Sequence, residues 1–252
     1  IRDSMSLGNY PHACSLLMKY QILASTSALF LSLGGVALSE DHASRPFNGK
    51  DLDNWEVKTK PKGKNAWVIG VPSQSRDEPK TLSVGEGEGA MINKVSGHGQ
   101  SWDIYSKDKW GSCRIELEVM VPKGANSGVY VMGEYEVQVL DSYGKEKLGG
   151  GDMGAIYGAQ PPKVNACKKP GEWQKYVIDF KAPEFDADGN KTSNAKFIKV
   201  ALNGKTLHEN VEMKGPTPAG VTGKESPTGP VMFQGDHGPV AYRNIIITPK
   251  KF

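Results

Sequence analysis

The chain has 252 residues, with 31 Lys and Arg against 28 Asp and Glu and a formal charge of +3. So even a balance excludes the clustered basic stripe of a nucleic-acid binder, and 38% hydrophobic residues exclude global disorder. The 30 Gly and 16 Pro show no collagen-like period; they suit short elements joined by tight turns and exclude a helical bundle.

Met18, Lys19 and Tyr20 precede an apolar run over residues 22–38, and Ala37, Leu38 and Ser39 offer small side chains for cleavage. This pattern predicts a secretory signal peptide, with an uncleaved anchor as the alternative. Residues 1–17 show no periodic pattern and read as an upstream extension. The expected organisation is therefore an extension and signal over 1–39, followed by a single domain over 40–252. The protein is then expected to be exported, to the periplasm or beyond the cell. Cys14 falls before the boundary; Cys113 and Cys167 remain, and an oxidising compartment permits a disulfide that spacing alone does not establish.

Strand signals dominate after residue 40, beginning at 66–71. Gly85-Glu86-Gly87-Glu88-Gly89 reads as a Gly-rich loop whose two Glu would repel a phosphate. Residues 114–121 alternate strictly, with Ile115, Leu117, Val119 and Val121 on one face and Arg114, Glu116, Glu118 and Met120 on the other. After a short strand at 129–132, residues 135–141 place Glu136, Gln138 and Leu140 opposite Val137 and Val139. The hairpin register there is open: a two-residue turn pairs Met132 with Tyr135, a three-residue loop pairs it with Glu136. Further strands are predicted at 176–180, 197–202, 206–208, 231–234 and 242–248. Asn203-Gly204 marks a hairpin, Asp186–Asn190 a turn rather than a calcium loop, and 214–230 a long surface loop. The sum is an all-β fold, a sandwich of two antiparallel sheets.

Phe47-Asn48-Gly49-Lys50-Asp51-Leu52-Asp53-Asn54-Trp55 opens a series of blocks that resembles the 3-keto-disaccharide hydrolase domain family. The series continues through Ala125-Asn126-Ser127-Gly128-Val129-Tyr130 and Tyr135-Glu136-Val137-Gln138-Val139-Leu140-Asp141. It returns at Gly154-Ala155-Ile156-Tyr157-Gly158, Pro170-Gly171-Glu172-Trp173, Gln234-Gly235-Asp236-His237-Gly238 and Tyr242-Arg243-Asn244-Ile245. The blocks keep the family's order and cover nearly all of residues 46–252. The resemblance implies a concanavalin A-like jelly roll acting on 3-keto glycosides. It also marks a departure: Met132 stands where the family often carries Arg, which implies a lost contact to a sugar oxygen.

Within these blocks Glu136 is the leading proton-transfer candidate, with Gln138 orienting the sugar; the plain alternative is a solvated outer face. Glu118, expected in the same sheet, is a second carboxylate candidate. His237 in its turn could move a proton near neutral pH, with Asp236 beside it contacting substrate or shaping the turn. The resemblance adds Asn126, Tyr157 and Gln234 as sugar contacts. Asp141 and Arg243 fit a sugar contact and a structural ion pair equally. Trp55, Trp67 and Trp110 could stack on a sugar but suit a core.

No Ser-nucleophile, zinc or dinucleotide motif occurs, so no cofactor is evident, and a divalent ion held by Glu and His would need no recognisable motif. The expected partner is a sugar or 3-keto glycoside, not nucleic acid, nor a membrane once the signal is removed. A lectin-like binding module is the rival function, because the same fold serves both. The sugar, the linkage and the oligomeric state have no signature in the sequence.

Overall fold

The computed structural model describes residues 42–252, so the expected signal, its cleavage point and the boundary near residue 40 lie outside the described residues. Among the described residues it contains fourteen strands and no helix. In chain order they are β1 (Trp55–Lys58), β2 (Trp67–Gln74), β3 (Leu82–Asn93), β4 (Asp103–Ser106), β5 (Cys113–Met120), β6 (Asn126–Val131) and β7 (Tyr135–Leu140). There follow β8 (Gln174–Lys181), β9 (Glu184–Phe185), β10 (Lys191–Ser193), β11 (Lys196–Leu202), β12 (Lys205–Glu212), β13 (Met232–Phe233) and β14 (Val240–Pro249).

Five strands form one sheet in the order β1-β4-β13-β6-β7, and seven form the other in the order β12-β11-β8-β5-β14-β3-β2. Strand pairing is antiparallel throughout both, which gives the expected sandwich. The core lies between the sheets. From β5 it takes Cys113, Ile115, Leu117 and Val119, each at most 1% exposed, and from β7 Tyr135, Val137 and Val139. Each of the Val, Leu and Ile side chains among them contributes roughly 1.5–3 kcal/mol by leaving water. Trp55 stacks on Phe233, and Phe233 on Tyr242 at 3.9 Å between centroids, which joins the two sheets. Trp55, Trp67 and Trp110 all belong to this core rather than to an open surface. Cys113 is buried and Cys167 half-buried, and both are free thiols.

Several local expectations change. The Gly85–Gly89 segment is part of β3, not a loop. Val71 pairs with Gly85 and Gly70 with Ala90, so residues 86–89 bulge from the ladder, with Gly87 and Gly89 at positive φ. The β6–β7 hairpin takes neither anticipated register. Val131 pairs with Tyr135, leaving Met132, Gly133 and Glu134 as the loop, with Met132 and Gly133 at φ 53° and 72°. Asn203-Gly204 turns as expected, at φ 50° and 81°, and Asp186 Oδ1 closes its turn on the Asp188 and Asn190 amides. Met120 points away from the sandwich core yet is buried, because a second cluster with Leu82, Ala90, Ile92 and Ala241 packs against Trp173.

Candidate active site

Strand β7 is the outermost strand of its sheet, and the chain covers it twice. On its edge, Gln138 N donates to Ala155 O at 2.9 Å, Gly154 N to Gln138 O at 2.9 Å and Tyr157 N to Glu136 O at 3.1 Å. The segment around 154–157 thus continues the ladder. The loop after β12 lies alongside: Glu136 N donates to Thr217 Oγ1, and Thr217 N to Glu134 O at 2.7 Å. The Glu134 carboxylate, itself buried, accepts from Thr222 N, Thr222 Oγ1 and Gly223 N at 2.7–2.9 Å. The 214–230 loop is therefore clamped to the β6–β7 hairpin instead of standing free.

This double cover buries the polar face of β7. Glu136 is 3% exposed and Gln138 4%, where alternation alone would leave them solvated. The main chain of Glu136 bonds outward, away from β6, so Glu136 and Tyr130 form the close, non-hydrogen-bonded kind of cross-strand pair. Tyr130 Oη donates to Glu136 Oε2 at 3.0 Å and also lies 3.1 Å from Pro218 O. Gly128 supplies the room: a Cβ there would come within 2.2 Å of Glu136 Oε1.

Glu136, Gln138, Asn126, Tyr130, Tyr157, Gln234, His237, Pro218 and Ala219 line one pocket of about 160 Å³. Burial raises the Glu136 carboxyl from 4.5 to about 7; the Tyr130 hydrogen bond and the His237 charge oppose that rise, and Asp103 and Asp236 reinforce it. Gln138 Nε2 donates to Asn126 Oδ1 at 2.8 Å, which fixes both amides at the pocket wall. Gln234 N donates to Gly128 O, and its carbonyl accepts from Ser127 Oγ at 2.6 Å.

His237 is set by a charged chain that the sequence did not reveal. Its Nδ1 is hydrogen-bonded to Asp236 Oδ1, which raises the imidazole above its usual value against the effect of burial. Burial alone would raise Asp236, but hydrogen bonds from His237 and Lys60 pull it down to about 2. Lys60 Nζ joins Asp236 to the buried Asp103, at 2.9 Å from Asp103 Oδ2, and Asp103 Oδ1 accepts from Gly235 N. Buried Asn93 donates to Gly235 O and Gly238 O, pinning both ends of the turn, and the His98 ring meets His237 edge-on at 4.5 Å. Lys58, lowered chiefly by burial, donates to Ala219 O and Gly220 O on the pocket's far rim.

Three anticipated residues lie elsewhere. Glu118 is in the seven-stranded sheet, not beside Glu136, because the chain crosses from one sheet to the other between β5 and β6. Its Oε2 accepts from Arg243 Nε at 2.6 Å and Asn244 Nδ2 at 3.0 Å. Arg243 also lies over the Trp173 ring, 4.0 Å from its centroid, so its partners are Glu118 and Trp173 rather than Asp141. Asp141 accepts from the Gly124 and Tyr143 amides and shapes a turn. Met132 does not line the pocket; it is 4% exposed and packs in the core, so its place in the fold gives no support to a lost sugar contact there. His208 is buried, with Nε2 2.8 Å from Gly154 O. Among the described residues, no three His, Cys, Asp or Glu side chains converge as a metal-holding group.

Residues 43–248 match the family described as the 3-keto-alpha-glucoside-1,2-lyase-like domain. The chain belongs to that family. A "putative glycosyl hydrolase" from Parabacteroides distasonis ATCC 8503 is 30% identical over 82% of this chain and 84% of its own, with a TM-score of 0.58. A second crystal structure from the same organism, described in the same words, is 19% identical, covers 83% of this chain and 94% of its own, and gives a TM-score of 0.52; it shows the shared fold. No curated protein matches the chain. The resemblance read from the ordered motif blocks therefore holds, and Asn126, Tyr130, Glu136, Gln138, Tyr157, Gln234 and His237 are the residues from those blocks that this family member gathers in one pocket.

Proposed function

We propose that this protein is an exported enzyme that cleaves the glycosidic bond of 3-keto glycosides by elimination followed by hydration. The observation that carries the reading is Glu136: a buried carboxyl on a pocket wall, raised to about 7, exchanges a proton near neutral pH. A ketone at C3 acidifies the proton at C2. The Glu136 carboxylate takes that proton, the electron pair moves through the enolate, and the C1–O bond breaks. The imidazolium of His237, oriented by Asp236, gives its proton to the leaving oxygen. Water then adds at C1 and C2 regains a proton, so the net change is hydrolysis.

The family's description as 3-keto-alpha-glucoside-1,2-lyase-like supports this route, and the description of the 30% identical relative as a "putative glycosyl hydrolase" supports glycoside cleavage. Export rests on the apolar run after Lys19. No helix among the described residues is long and apolar enough to cross a membrane. The test is product analysis with a 3-keto disaccharide and its unoxidised parent in heavy water. Turnover of the keto form alone, with enzyme-dependent deuterium at C2 of the released keto sugar, is expected. Cleavage of the parent at equal rate would remove the need for the ketone, and binding without turnover would make the protein a sugar-binding module.

A further inference from the structure

Tyr130 is 1% exposed, yet it lines the Glu136 pocket. Its hydroxyl has one hydrogen and two acceptors within reach, Glu136 Oε2 at 3.0 Å and Pro218 O at 3.1 Å. Distance barely separates the two; charge does. A bond to an ionised carboxylate is roughly twice as strong as one between neutral groups, so the hydrogen lies on Oε2 while Glu136 is ionised. A protonated carboxyl loses that advantage. The Pro218 carbonyl is an amide acceptor that no other donor reaches among the described residues, and it then takes the hydrogen.

The contact also divides the carboxyl. Tyr130 holds Oε2, whereas Oε1 lies over Gly128 and accepts no hydrogen bond among the described residues. Both acceptors are fixed in place: Glu136 by its cross-strand pairing with Tyr130, Pro218 by a loop tied down through Thr217 N on Glu134 O and Lys58 on Ala219 O and Gly220 O. Burial first, then the Glu136 charge, push the Tyr130 phenol well above its ordinary value, so it stays a donor and is no rival base. The charged groups around the pair are Asp103 on β4, Asp236 and His237 in the turn after β13, and Lys58 and Lys60 at and beyond the end of β1. Glu134, on the hairpin, is spent on Thr222 and Gly223. Among the described residues none of these hydrogen-bonds the Glu136 side chain, which leaves Tyr130 as its direct partner.

We propose that Tyr130 is a positioning residue for the base: its hydroxyl holds ionised Glu136 by Oε2, leaves Oε1 to take the C2 proton, and turns its hydrogen to Pro218 O once that proton arrives. The inference rests on the catalytic reading above, but its first readout needs no substrate. The Glu136 carboxyl is titrated by carbon-13 NMR in the unmodified protein and in Tyr130→Phe, which keeps the ring, with a thermal melt confirming that the variant is folded. Loss of the hydroxyl should raise the Glu136 midpoint by about one pH unit, the scale of a hydrogen bond to a charged group. In the unmodified protein the Tyr130 Cζ resonance should move with the same midpoint as Glu136 while the phenol stays protonated, a readout that does not depend on the variant's folding. On a 3-keto disaccharide the acid limb of kcat/KM should move up with the carboxyl, so that Tyr130→Phe loses about tenfold at pH 6 and less at pH 8. An unmoved Glu136 midpoint, a Tyr130 resonance silent through that titration, or a rate loss equal at every pH would overturn the assignment. Absence of turnover by the unmodified protein bears on the catalytic reading alone, so the two ideas fail separately.

Discussion

Glu136 and Glu118 occupy the same place in their strands' patterns: each follows an inward apolar residue and precedes another, on the side that alternation assigns to solvent. Their surroundings differ in what covers them. On β7, two returning segments bury Glu136 beside a pocket; on β5, the Glu118 side chain is 25% exposed and meets Arg243, itself 36% exposed, across the outer sheet face. One carboxyl is pushed up to about 7 by lost solvation, while the other finds a cation at the surface. Proton-transfer capacity thus comes from loops that return over a strand, not from the strand's own sequence.

The largest effect that sharpens this contrast is expected at Glu136 itself. Glu136→Gln keeps the shape and the Tyr130 contact but removes the exchangeable proton, so the rate should fall by about 10²–10⁴. Full activity on a 3-keto disaccharide would end Glu136's role. Gly128→Ala attacks the same group by crowding, because the new Cβ would meet Oε1 at 2.2 Å. Overpacking of this kind costs about 1–3 kcal/mol, and the displaced carboxyl should lose at least tenfold in kcat, measured beside a thermal melt.

The alternation that put Val137 and Val139 inward and Glu136 outward was legible because period two survives any choice of register. The hairpin register itself was not, since Met132 joins the loop at a positive φ that a Met side chain does not announce, with Gly229 close against its backbone. Nor was the sheet to which Glu118 belongs, because adjacent strand patterns do not say where the chain crosses the sandwich. Lys60 and Asp103 sit in no motif; they meet Asp236 through folding over more than a hundred residues of chain. Local pattern shows which face is polar, and long-range return decides whether that face is a site.

Burial of Glu136 also has a stability signature of definite sign. Its folded pKa lies above the value of 4.5 for a free carboxyl, so between pH 4.5 and about 7 the folded state holds a proton that the unfolded state has lost. Stability should therefore fall as pH rises through that window, by at most about 3 kcal/mol. Glu136→Gln removes this slope: relative to the unmodified protein it should gain stability at pH 8 more than at pH 4.5. Parallel denaturation curves at both pH values would show that Glu136 is not desolvated. On the other side of the pocket, Asp236→Asn removes the chief cause of the raised His237 value, so the imidazole should titrate at lower pH by NMR. An unchanged His237 titration would show that Asp236 does not set it.

The smallest effect is expected at the other member of the pair. Glu118 accepts from Arg243 and Asn244 on a partly solvated face, where two long side chains lose freedom to make the contact and salt screens it. Such pairs contribute about 0–1 kcal/mol, so Glu118→Gln, which still accepts a hydrogen bond, should shift the unfolding midpoint only slightly. The rate on a 3-keto disaccharide should stay within about twofold, since no strand pairing or pocket wall links Glu118 to Glu136. A loss approaching that of Glu136→Gln would break the comparison at its root. Polar outer faces on both sheets would then take part in catalysis, and burial by returning loops would no longer be what separates them.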